Sequence, residues 1–106
     1  MERNLDGCYF RTKINGKWKS VCFTDLDATS VNNILQNKSE EWLASLESLL
    51  WDVLSDIYRI LGEVPLQFTD MSDDIKTFNG ARTKILLLRA LIRVIAEEYN
   101  IIGGEE

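Results

Sequence analysis

Apolar and polar residues alternate in two short runs, Cys8 to Ile14 and Lys17 to Phe23, on either side of Asn15-Gly16. Alternation with a period of two is strand patterning. An Asn-Gly pair supplies positive φ at both centres of a type I′ turn. The pattern predicts a β-hairpin whose register follows from the turn: Ile14 opposite Lys17, Thr12 opposite Lys19, Phe10 opposite Val21, and Cys8 opposite Phe23. One face then carries Cys8, Phe10, Ile14, Val21 and Phe23, and the other carries Tyr9, Arg11, Lys13, Trp18, Ser20 and Cys22.

Beyond the hairpin the period lengthens. Val31, Ile34 and Leu35 give a small apolar face to a short helix over 27–37, with Thr24 or Asp25 as candidate caps. Ser39 followed by Glu40 and Glu41 marks the start of a second helix, because a hydroxyl cap and early carboxylates suit a positive helix N-terminus. Leu43, Leu46, Leu50, Val53, Ile57 and Ile60 recur at spacings of three and four, which predicts a long helix over 40–61. Trp42, Leu49, Trp51, Leu54, Tyr58 and Leu61 widen its apolar side. Gly62 is a natural stop, and Pro65 blocks continuation. Residues 64–69 read as a connector with some strand character, with Asp70 or Ser72 as the cap of the next helix.

Phe78, Ala81, Ile85, Leu88, Ile92, Ile95 and Tyr99 keep the same spacing straight through Asn79-Gly80. That predicts one long helix over 71–100, weakened at Gly80, since glycine in a helix interior costs about 1 kcal/mol relative to alanine. The alternative is two helices divided at the Asn-Gly pair. Gly103-Gly104 ends the pattern. Together the elements predict an α+β fold in one domain, 1–106: a β-hairpin, a short helix, then a long antiparallel helical hairpin. Each long helix is apolar over more of its circumference than one neighbour covers. A second copy completing a four-helix bundle is therefore expected, that is, a homodimer. The alternative is a monomer in which the N-terminal elements provide the cover.

Charge divides the chain. Residues 1–24 carry five cations against two carboxylates, a net of +3, while the rest carries 7 basic and 15 acidic residues, a net of −8. The total of −5 argues against nucleic-acid binding by the whole surface. With no histidine, the usual general base near neutral pH and the commonest metal ligand are missing. The two cysteines fall on opposite hairpin faces, so no internal disulfide and no ordinary zinc site is expected. The N-terminus reads as no signal peptide, and the longest unbroken apolar run is Ile85 to Leu88, which predicts a cytoplasmic chain without membrane spans.

Two groups of residues are candidates for binding a ligand or partner. On the hairpin, Arg11 and Lys13, with Lys17 and Lys19 nearby, can grip phosphates while Tyr9 or Trp18 stacks a base. The plainer reading is a solvated edge in which lysines prevent sheet-to-sheet pairing. In the last helix Arg82, Arg89 and Arg93 fall on one side and can line an anion pocket at a dimer seam. The plainer reading is ion pairing, with Glu97 or with Asp52, Asp56 and Glu63 of the facing helix. The carboxylate pairs Asp52/Asp56, Asp73/Asp74 and Glu97/Glu98 match no calcium-loop or glycosidase spacing. They read as solvated faces, although a strongly acidic surface can also imitate a phosphate backbone. No phosphate-binding glycine loop, nucleophile elbow or metal motif is present, so neither enzymatic activity nor a cofactor is expected.

Asn4-Leu5-Asp6-Gly7-Cys8-Tyr9-Phe10-Arg11, Asn15-Gly16-Lys17-Trp18, the stretch from Val21 to Leu26, and the helix start Ser39-Glu40-Glu41-Trp42-Leu43 together resemble short uncharacterised proteins encoded in prophages and mobile elements of Firmicutes. The resemblance covers the first half of the chain and brings no binding residues with it. It implies a small accessory protein of a phage or mobile element, acting in the host bacterial cytoplasm. The expected function is then a non-catalytic inhibitor that binds a host defence protein, with CRISPR nucleases among the candidate targets. Two alternatives are sequestration of a small signalling nucleotide at a dimer pocket, and nucleic-acid regulation through the basic hairpin.

Overall fold

The computed structural model of the chain describes residues 8–99. The expected helix end at Asn100 and the Gly103-Gly104 stop lie outside the described residues, as does the Ile14 side chain.

The hairpin forms in the expected register. Strands β1 (Tyr9–Ile14) and β2 (Lys17–Cys22) pair antiparallel, with Phe10 opposite Val21 and Ile14 opposite Lys17. Asn15 and Gly16 hold φ of 53° and 79°, as the turn requires. The Phe23 amide donates to the Cys8 carbonyl at 2.8 Å and closes the open end. Phe10 stacks obliquely on Phe23 and edge-on to Trp42, with centroid distances of 6.0 and 6.3 Å, which seats the hairpin on the helical body.

A single 3-10 turn, Phe23–Asp25, leads to α1 (Ala28–Gln36). Thr24 and Asp25 are thus part of that turn, and the cap of α1 is Asp27, whose carboxylate accepts from the Ser30 amide at 2.7 Å. That hydrogen bond, reinforced by the Ser30 hydroxyl and the nearby charge of Arg89, holds the Asp27 carboxyl below its usual range. Helix α2 (Glu40–Leu61) begins and ends as expected: Ser39 accepts from the Trp42 amide at 3.1 Å, and Gly62, at φ 77°, donates to the Tyr58 carbonyl.

The single helix expected over 71–100 is corrected to two. Helix α3 (Leu66–Lys76) starts directly after Pro65, whose carbonyl accepts from the Phe68 and Thr69 amides. Proline stops one helix but suits the first turn of the next, so residues expected as a connector are helical. The last turn of α3 then tightens. The Thr77 and Phe78 amides donate to the Asp74 and Ile75 carbonyls, and Thr77 Oγ1 donates to the Asp74 carbonyl at 2.7 Å. Gly80 takes φ 88° and ψ 133°, and its carbonyl accepts the first amide bond of α4 (Ala81–Glu98).

The chain reverses at residues 62–65 and again at 77–80. Tyr58 meets Phe68 and Ser72, and Lys76 lies 5.6 Å over the Trp51 ring, so α3 runs back along α2. The Phe68 and Tyr99 rings meet at 6.3 Å, so α4 runs back along α3. The long helices expected as an antiparallel pair therefore run in the same direction, α2 beside α4, and the closely packed antiparallel pair is α3 with α4. Glu40, Leu43 and Ala44 share a cavity with Gly80, Ala81 and Arg82 at their common N-terminal end.

Helix α4 is the hub. Ile85, Leu88, Leu91, Ile92, Ile95 and Ala96 are all buried, enclosed by α2, α3 and the N-terminal segment. Among the described residues the large apolar side chains left in the open are Ile60 on α2, Leu66 and Met71 on α3, Phe78 in the turn that follows, Val94 on α4 with Tyr99 just past its end, and Tyr9 and Trp18 on the hairpin.

A buried polar knot joins α2 to α3. Ser72 Oγ donates to the Phe68 carbonyl at 3.0 Å, and the Tyr58 hydroxyl lies 2.6 Å from Ser72 Oγ and 3.1 Å from the same carbonyl. Burial pushes the Tyr58 hydroxyl above its ordinary value near 10, the Ser72 bond opposes this, and the charge of Asp73 adds to it. Because the folded state holds this proton more tightly, its contribution is complete below about pH 10 and is lost as pH rises beyond that. Tyr58→Phe should lower stability at neutral pH by about 0.5–1.5 kcal/mol, as expected for lost hydrogen bonds. It should also flatten the alkaline fall in stability seen in urea melts above pH 10.

Candidate functional site

The hairpin splits its cations between two faces. Strand alternation sets Arg11, Lys13 and Trp18 on one side and Lys17 and Lys19 on the other. Trp18 is 60% exposed. The Arg11 guanidinium lies 6.0 Å and the Lys13 ammonium 5.9 Å from its ring centroid, at the outer limit of a cation–π contact. Lys13 pairs directly across from Trp18 in the ladder. The result is an indole flanked by two cations on an open strand surface, with Lys17 and Lys19 exposed behind it. Cys22 departs from the simple alternation. It is buried because the 3-10 turn folds over it, and its thiol donates to Asp25 Oδ2 at 3.4 Å.

The arginine row faces the N-terminal segment. Arg82 donates to the Leu35 and Gln36 carbonyls at 3.2 and 3.4 Å, which caps the C-terminal end of α1. Arg89 and Arg93 both donate to the Leu26 carbonyl, between the 3-10 turn and α1. The expected pairing with acids of α2 is corrected: these guanidiniums face α1, and Asp56 pairs with Arg59 at 2.8 Å. Desolvation, and then the adjacent charge of Arg93, lower the pKa of Arg89, while Asp27 and Asp25 oppose the shift. The row is a clamp that fastens the N-terminal segment to α4. Hydrogen bonds from charged donors are worth about 1.5–3 kcal/mol. Arg93 still serves the Leu26 carbonyl when Arg89 is gone, so Arg89→Met should cost about 1.5 kcal/mol in a denaturant titration. Arg89→Lys, which lacks the planar fork, should recover less than half of that.

The feature that periodicity did not point to lies between α3 and α4. Met71, Asp74 and Ile75 of α3, with Phe78 from the turn that follows it, face Leu87, Ala90, Leu91 and Val94 of α4 across an apolar groove of about 220 Å³. Both sets follow i, i+3, i+4, i+7 spacing. The groove exists only because the chain turns back at Gly80. The apolar stripe expected through 78–99 lies on α4 from Ala81 to Ile95 and faces the core, and the groove is built instead from Leu87, Ala90, Leu91 and Val94 beside it.

Comparison of the chain with family models, with curated proteins and with solved structures found no match. The chemistry of the surfaces carries the functional reading. Among the described residues no cluster of three or more His, Cys, Asp or Glu is placed to hold a metal ion, and no helix is long and apolar enough to cross a membrane.

Proposed function

We propose that this is a binding protein that acts by contact and inhibits a host protein, with defence nucleases of the CRISPR type among the candidate targets. One observation carries the reading. The arginines of α4 and the Cys22 thiol are engaged within the chain, Arg82, Arg89 and Arg93 on backbone carbonyls and Cys22 on Asp25, while large apolar side chains stand open on an acidic helical body. Contiguous exposed apolar surface rimmed by polar residues is typical of protein-contact sites. The resemblance of the N-terminal half to mobile-element proteins makes a host protein the natural target. Affinity capture at low salt from a host lysate, followed by assay of the captured protein with the purified chain added back, tests this. A stoichiometric partner whose activity falls on addition supports it, and recovery of none rejects it.

A second reading is favoured by Trp18 between Arg11 and Lys13: nucleic-acid binding through the hairpin. It predicts single-strand affinity that falls steeply with salt and is lost in Arg11→Glu/Lys13→Glu. The nucleotide-sequestering alternative requires Arg82, Arg89 and Arg93 to release their carbonyls. Calorimetry against cyclic di- and trinucleotides should then give a flat response.

A further inference from the structure

We propose that the α3–α4 groove is the docking site for a basic amphipathic helix of the partner, an assignment that rests on the contact reading above. Two ridges flank the groove, Met71 of α3 with Phe78 of the following turn on one side and Leu87 and Val94 of α4 on the other, over a floor of Ile75 and Leu91. The floor is buried, while Met71, Phe78 and Val94 are 43–47% exposed. A trough between two ridges of this spacing is the complement of a third helix with apolar residues at i, i+4 and i+7. Methionine and phenylalanine at the lip supply adaptable and bulky contact.

Charge selects the occupant. Asp74 lines the groove, Asp70 stands one turn before it on α3, and Glu97 and Glu98 follow Val94 at the end of α4. Lys76 pairs with Asp73 at 3.8 Å on the α2 side, the α4 arginines Arg89 and Arg93 are turned to the Leu26 carbonyl, and Lys84, one turn before Leu87, sets a single positive charge against Asp70, Asp74, Glu97 and Glu98. The groove therefore offers apolar contact within a negative margin. A lysine- or arginine-flanked helix complements it, whereas a second copy of this chain, itself at net −5, brings more negative charge.

The test uses the isotope-labelled full chain and two synthetic helical peptides with the same leucine spacing, one with lysines and one with glutamates at the polar positions. The lysine peptide should shift amides of 71–78 and 87–94 and bind at least ten-fold more tightly than the glutamate peptide. Phe78→Asp and, independently, Val94→Asp should weaken it at least ten-fold. Ile60→Asp, on the exposed side of α2, should leave it unchanged. Both groove positions are surface-exposed, and circular dichroism confirms that the variants fold. Equal binding of the two peptides, or shifts centred on the hairpin, would overturn the proposal. So would a dimer in sedimentation that Phe78→Asp dissolves, which would show a second copy in the groove. The two readings fail separately: a captured partner retained by Phe78→Asp sinks the groove alone, and no captured partner with the unaltered chain sinks the contact reading.

Discussion

Phe23→Ala should lower unfolding free energy by about 3–5 kcal/mol, the range for removing a buried aromatic ring. Phe23 is fully buried at the start of the 3-10 turn, against Phe10 of the hairpin and within the cluster centred on α4. Its amide also closes the hairpin on the Cys8 carbonyl. Truncation leaves a cavity where strand, turn and bundle meet, and backbone closure alone cannot hold a two-stranded ribbon that is marginal in isolation. A domain of this size has about 5–15 kcal/mol in total, so the loss takes a large share. Amide exchange should rise first in residues 9–22, and denaturant melts should show the full loss. A change below about 1 kcal/mol, well short of the cavity range, would mean that the hairpin and the bundle are independent.

The hairpin was legible because its information is local. Asn15-Gly16 has few conformations to choose from, and two-fold alternation ties every side chain to that turn. Ser39 and Gly62 were legible for the same reason, each satisfying groups within four residues of itself. The targets of Arg82, Arg89 and Arg93 were not, since a backbone carbonyl 46 to 67 residues away has no signature in sequence. Cys22 followed alternation onto the outer face, but the next turn covers it. Apolar spacing that continues through Gly80 favours one helix over two, and the chain nevertheless divides there. Periodicity records which residues are apolar on a local face. It is silent on where a helix starts and on which neighbour meets the residues beside that face, so the groove that Leu87 and Val94 form with Met71 and Phe78 was not visible. Pro65 misled in a related way, read as a stop when it also begins α3.

The turn at Gly80 therefore decides the architecture. It makes α4 central and gives the groove its two walls. Gly80 holds φ 88° and ψ 133°, a conformation that side-chain-bearing residues rarely adopt. A Cβ built there meets nothing within 4 Å, so any cost of adding one is backbone strain and not a clash. Strain of that kind is worth about 1–3 kcal/mol. In an uninterrupted helix the same substitution acts in the opposite direction, because alanine is the better helix former by about 1 kcal/mol. The sign alone separates the two paths of the chain.

The decisive measurement is the urea-unfolding free energy of Gly80→Ala against the unaltered protein at neutral pH. A loss of about 1–3 kcal/mol is what a chain reversing at this residue requires. A gain of about 1 kcal/mol would mean that the helix runs on through residue 80, and both the hub and the groove would be gone.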